Sequence, residues 1–116
     1  MPLIRVQTSA KRNLDVKEAT VKDLSAKVAA CIGKPESYVE AMLQDDAVIA
    51  FGGELGDAAF VEVRSIGGLG PEVNNALAHE ICGCLEQRFG IDPTRVYINF
   101  VDVPAGDWGW QGSTFG

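Results

Sequence analysis

The sequence predicts an α/β fold of two βαβ units related by a pseudo-two-fold, with a four-stranded sheet and both helices on one face of it. Three observations point there. Two stretches of helical periodicity alternate with short runs of branched, strand-forming residues. The order strand, helix, strand occurs twice, at an offset close to half the chain. The two helix exits also match. Ile32-Gly33-Lys34-Pro35 leads into Tyr38-Val39, and Phe89-Gly90-Ile91-Asp92-Pro93 leads into Val96-Tyr97. At 116 residues the chain is expected to form one domain, residues 1–116.

The elements follow in order. Leu3 to Gln7 is short and rich in branched residues and suits a strand. Lys17 to Ile32 carries Val21, Leu24, Val28, Cys31 and Ile32 on one helical stripe. Gly33 ends that helix and Pro35 prevents its continuation. Tyr38 to Leu43 reads as the second strand, and Val48 to Phe51 as a further short one before Gly52-Gly53. Ala58 to Arg64 opens the second half as a strand, followed by the glycine-rich loop Ser65 to Gly70. Pro71 fits the first turn of a helix, where its missing N–H costs nothing. That helix carries Val73, Leu77, Ile81, Leu85 and Phe89, with Cys84 beside them, and Gly90 ends it. Val96 to Val103 is the last long strand.

With both helices on one face, the other face of the sheet is bare. In the last strand Val96, Ile98 and Phe100 point to the helices, while Tyr97, Asn99, Val101 and Val103 point away. The second face is expected to be mixed but substantially apolar. A face of that kind predicts a homo-oligomer that covers it.

Composition narrows the function classes. The hydrophobic share is 47%, which is that of a folded globular chain. The net charge is −6 and the isoelectric point is near 4.6, which argues against a nucleic-acid partner. No apolar run reaches the roughly 20 residues of a membrane helix, and the N-terminus lacks a basic start followed by an apolar stretch. The expectation is a cytoplasmic protein without membrane contact. Cys82 and Cys84 are two apart on a helix, so their side chains diverge by about 200° and form neither a redox pair nor a metal clamp. Small core packing is the expected role of Cys31, Cys82 and Cys84. His79 is the one histidine and reads as a helix-surface residue, so no two-histidine zinc site is expected.

Acid–base chemistry must then come from elsewhere, and Pro2 is the informative residue. Removal of the initiator methionine would leave a proline with a free secondary amine. An α-amine ordinarily titrates at about 7.7–8.0, and burial or a nearby cation lowers that value. A base poised near neutral pH results. Lys34, just past the first helix, offers a positive charge for a carboxylate. Tyr97 and Asn99 share a strand face and can both hydrogen-bond a carbonyl or enol oxygen. The loop from Ile66 to Gly70 brings backbone groups to a helix start, but it matches no nucleotide-binding pattern.

Taken together, these pieces resemble the macrophage migration inhibitory factor family of the tautomerase superfamily. The resemblance spans the chain: Met1-Pro2; Gly33-Lys34-Pro35 with Tyr38; Ala50-Phe51-Gly52-Gly53; Ser65-Ile66-Gly67; Arg95-Val96-Tyr97-Ile98-Asn99; and Gly109-Trp110 with Ser113-Thr114-Phe115. It implies a homotrimer with pockets at subunit interfaces and keto–enol tautomerisation of phenylpyruvate-type aromatic α-keto acids, with no metal or organic cofactor. It implies Pro2 as the catalytic base, Lys34 and Ile66 as substrate contacts, and Tyr97 and Asn99 as contributions from a neighbouring subunit. Trp110 and Phe115 match aromatic rim positions. Trp108 departs from the pattern, being bulky beside the pocket where a smaller residue is usual. A C-x-x-C motif found in mammalian members is also missing, its place taken by Ala58-Ala59-Phe60-Val61. The alternative reading is a cytokine-like or interaction protein in which tautomerase activity is incidental. Arg12 and Asp46 resemble charged positions linked to receptor contact, and export without a leader would follow the family's non-classical route.

Overall fold

The computed structural model describes residues 1–116. Strand β1 (Pro2–Thr8) leads into helix α1 (Leu14–Ile32) and strand β2 (Glu40–Gln44). Strand β3 (Ala59–Ser65), helix α2 (Pro71–Phe89) and strand β4 (Val96–Asp102) repeat the unit, and a small hairpin of β5 (Gly109–Trp110) and β6 (Ser113–Thr114) closes the chain. The sheet order is β2-β1-β3-β4. β1 and β2 run parallel, as do β3 and β4, while β1 and β3 are antiparallel at the centre. This arrangement is the predicted pair of βαβ units, with Arg5 opposite Glu62 at the middle of the central pair.

Alternation of side chains sorts the strands. Ile4, Val6, Val61 and Val63 are fully buried under the helices, and Ile98 and Phe100 pack against the same core. α1 contributes Thr20, Leu24, Val28 and Ile32, each four residues apart, and α2 contributes Leu77, Ile81, Cys84, Leu85 and Phe89. Each fully buried aliphatic side chain stabilises the fold by about 1.5–3 kcal/mol relative to exposure. Thr20 takes the place expected for Val21 on the buried stripe, its hydroxyl donating to the Val16 carbonyl at 2.7 Å. Between the helices, the Asp23 carboxylate accepts from Lys27 Nζ at 2.6 Å, Arg88 Nε at 3.3 Å and the Cys84 thiol at 3.3 Å.

Several expectations are corrected. α1 begins at Leu14 rather than Lys17, because the Asn13 side chain accepts the Val16 N–H at 3.0 Å and so caps the first turn. Tyr38 belongs to a 3-10 turn over Glu36–Tyr38, and the second strand starts two residues later. Val48 to Phe51 is not a strand of this chain. It finds no partner edge, and one bridge between Phe51 and Glu54 is all that forms. Cys84 is buried in the core and Cys31 packs against it, but Cys82 sits half-buried outside the core because it lies around the helix from Cys84. The bare face is also more polar than the last strand alone suggested. Register puts Glu40, Leu3, Arg64 and Val101 in one row across it, and Met42, Arg5, Glu62 and Asn99 in the next. Glu62 there pairs with Arg64 at 2.9 Å and Arg5 at 3.5 Å. No helix is long and apolar enough to cross a membrane.

Candidate functional site

The site grows from the end of α1. Gly33 takes the left-handed conformation (φ 77°) that ends the helix, and its N–H donates to the Ala29 carbonyl at 2.9 Å. The chain turns there, and Lys34 swings toward the sheet. Its Nζ donates to the Ile66 carbonyl at 2.6 Å, a contact across 32 residues of sequence. Ile66 follows β3 directly, and Pro2 at the start of β1 is paired with Ser65 at the end of β3. Pro2, Lys34 and Ile66 are thus gathered at one end of the two central strands.

The chain's N-terminus lies in the same place. Pro2 is buried and Met1 is half-buried. The terminal amine is held below its ordinary range, first by burial and then by the Lys34 ammonium beside it. Both causes disfavour the charged form. The Met1 amine is therefore biased toward the neutral state.

A cavity of about 290 Å³ opens at this end, lined by Met1, Ser37, Tyr38, Val39, Glu40, Trp110 and Phe115. Its aromatic wall is ordered. Trp110 stacks on Phe115 at 5.9 Å and meets Tyr38 edge-on at 6.0 Å. The β5–β6 hairpin holds Trp110, and the Phe115 N–H donates to the Trp108 carbonyl at 3.1 Å. Trp108 itself is half-buried and is not on the cavity wall of a single chain. Tyr38 and Glu40 are wall residues that sequence reasoning did not assign to the site. The signal was local: Pro35 forces the turn that carries Tyr38 past the end of α1.

Tyr97 and Asn99 are elsewhere. Tyr97 pairs with Phe60, which pairs with Gln7. Gln7 is five residues along β1 from Pro2, or about 17 Å at 3.3–3.4 Å per residue. Both side chains lie on the face of the sheet opposite the helices, and both residues are exposed. Tyr97 packs on Phe51 at 4.7 Å, and Phe51 in turn lies under the Arg95 guanidinium at 5.5 Å. Arg95 donates to the carbonyls of Asp57 at 2.8 Å and Glu54 at 3.1 Å, which ties the Phe51–Asp57 loop to β4. One chain therefore presents two separate patches: Pro2, Lys34, Ile66, Trp110 and Phe115 at one end, and on the face away from the helices Asn99 at mid-sheet with Tyr97 toward the other end.

Comparison with known proteins places this arrangement. The family profile described as "Macrophage migration inhibitory factor (MIF)" matches residues 1–116. A macrophage migration inhibitory factor homolog of Brugia malayi is 37% identical over 116 residues, covering 100% of both chains. The macrophage migration inhibitory factor of Rattus norvegicus is 36% identical over 115 residues, covering 99% of each. The crystal structure of a macrophage migration inhibitory factor homologue from Prochlorococcus marinus superposes with a TM-score of 0.94 at 42% identity, covering 98% of this chain and 99% of that one.

Proposed function

The chain belongs to the macrophage migration inhibitory factor family, and from that premise we propose that it is a cofactor-independent keto–enol tautomerase of phenylpyruvate-type aromatic α-keto acids, with Pro2 as general base. The observation that carries the reading is the convergence of the N-terminus, the Lys34 ammonium and the Ile66 carbonyl beside an aromatic-walled cavity. With Met1 attached, the Pro2 nitrogen is an amide and has no basicity. After removal of Met1 it becomes a secondary amine one residue along from the Met1 amine that burial and Lys34 depress, and on this reading burial and the Lys34 charge act on it in the same direction.

The chemistry then follows. Neutral Pro2 takes the enol O–H proton, the C–O bond becomes C=O, and the carbon–carbon double bond shifts its electrons to the benzylic carbon. That carbon takes a proton in return, so nothing is oxidised or reduced. Lys34 holds the substrate carboxylate by a charge-assisted hydrogen bond. Trp110 and Phe115 suit an aromatic ring. Trp108 is off the cavity wall of a single chain, and on this reading it narrows the approach only where two copies meet. Asn99 and Tyr97 stabilise the enolate oxygen, and since they are remote from Pro2 within one chain, a neighbouring copy supplies them. We assign the working form as a homotrimer, with each pocket shared between two subunits.

The test is ketonisation of phenylpyruvate enol, followed by ultraviolet absorbance. The protein is first shown by intact mass to lack Met1. Turnover that collapses in Pro2→Gly supports the reading. Absence of turnover from correctly processed oligomer refutes it for this substrate class.

A further inference from the structure

The tautomerase reading leaves one question about Lys34. A lysine has a flexible four-carbon stem, and nothing on α1 holds its tip. The restraint comes from the turn that follows β3, and that turn is itself fastened from β4. The Asp102 carboxylate accepts the Gly67 N–H at 3.0 Å. The Ser65 hydroxyl donates to the Gly67 carbonyl at 2.7 Å, and the Val103 N–H donates to the Ser65 carbonyl at 2.9 Å. On the other side the turn presses on the end of α1. Gly68 (φ 79°) approaches so closely that a Cβ there would stand 2.7 Å from Ile32 Cγ2 and 3.3 Å from Lys34 Cε. The Ile66 carbonyl, the acceptor of Lys34, lies between these two fastenings.

We infer that Asp102 is a positioning residue, whose carboxylate fixes the Ser65–Gly68 turn so that the Ile66 carbonyl seats the Lys34 ammonium beside the N-terminal nitrogen. The inference rests on the proposed role of that nitrogen, but it concerns a residue that the proposal does not use. The charged groups at this end of the sheet come from three elements. Lys34 follows α1, Glu40 opens β2 on the cavity wall, and Asp102 ends β4 behind the turn. On β3 the nearest charge is Arg64, which is turned to the far face and paired with Glu62.

The sign of the effect separates positioning from charge. As a bare negative charge, Asp102 favours a protonated amine, so its removal would make the amine less basic. As a fastener of the turn, its removal lets Lys34 drift away and makes the amine more basic. The experiment titrates the N-terminal amine of the methionine-free protein by NMR or by pH-dependent acylation, so it needs no turnover. Asp102→Ala and the shorter Asp102→Ser are expected to leave about threefold to tenfold less neutral amine near pH 6.5. Asp102→Asn, which keeps an acceptor for Gly67, is expected to stay near the parent. Asp102 is exposed, so these changes leave the core intact. An amine that becomes less basic in all three variants, or does not move in Ala and Ser, overturns the inference. Failure of the parent protein to turn over phenylpyruvate enol would sink the tautomerase reading and leave this titration interpretable.

Discussion

Arg12 offers a perturbation whose size can be worked from its contacts. It lies between β1 and α1, yet its guanidinium serves α2. Nη2 donates to the Phe89 carbonyl at 2.6 Å and Nε to the Arg88 carbonyl at 3.3 Å. These belong to the last turn of the helix, where carbonyls lack intrahelical partners and the dipole is negative. The guanidinium also lies 5.5 Å over the Phe89 ring. Arg12→Met keeps the aliphatic stem and removes these polar contacts. Charge-assisted hydrogen bonds contribute about 1.5–3 kcal/mol each when buried, but water recovers part of that at this half-exposed site. Adding about 0.5–1 kcal/mol for the ring contact, the expected loss is about 2–3 kcal/mol. Arg12→Lys keeps the charge but not the fork, and should recover about 1 kcal/mol through the helix dipole. Guanidinium chloride unfolding followed by tryptophan fluorescence reads both variants. Protein concentration must be matched, because an assembling chain gains stability by mass action. Arg12→Met within 0.5 kcal/mol of the parent, or Arg12→Lys no better than Arg12→Met, would refute the reasoning about these bonds. The result bears on function as well. Arg12 is committed to the fold, so a loss of partner binding in its variants must be separated from loss of structure.

Two further predictions follow from charged groups. Lys34→Gln should raise KM for an aromatic α-keto acid about ten- to a hundredfold, as expected for one charge-assisted bond of about 1.5–3 kcal/mol. The same change removes the cation that disfavours protonation of the N-terminal amine, so the acid limb of the kcat/KM profile should move to higher pH; a shift to lower pH would contradict the assignment. Asp23 is held below the usual aspartate range, chiefly by its hydrogen bond from Lys27, with Cys84 and Arg88 assisting. A depressed folded pKa gives stability that is present above the unfolded value and lost as pH falls through the folded one. Thermal melts of Asp23→Asn should therefore fall below the parent at neutral pH and converge with it as pH falls through the depressed carboxyl value. A constant gap across that range would show that packing, not charge, sets the difference.

Much of the architecture is legible in local patterns. The stripes through Leu24 and Val28, and through Leu77 and Ile81, recur every four residues, and only a helix buries such a set on one side. The glycine and proline exits stop both helices for reasons confined to a few residues. The alternation in Val96 to Phe100 states which side chains meet the helices before any partner strand is known. The pieces of the candidate site are legible too, as short segments in a fixed order. Tyr38 and Glu40 escaped assignment because their place on the cavity wall depends on where the 3-10 turn ends and β2 begins, a boundary of two residues.

What the sequence by itself determined is therefore the two long helices and the four main strands, their buried sides and the inventory of groups that can do chemistry, but not the turn at Tyr38 or the β5–β6 hairpin. These depend on interactions within a few residues, which a linear reading can see. What only the tertiary structure decided is which of those groups meet. The Lys34 ammonium reaches the Ile66 carbonyl, and Asp102 reaches the Gly67 N–H 35 residues away, because strand register brings the ends of β1, β3 and β4 together. The same register sends Tyr97 away from Pro2 along the sheet. It also leaves Val48 to Phe51 without a strand to pair with, since extended backbone becomes a strand only when a neighbour satisfies its N–H and C=O groups. Hydrogen-bond geometry acts over about 3 Å, and no pattern along the chain reports distances of that size between residues so far apart.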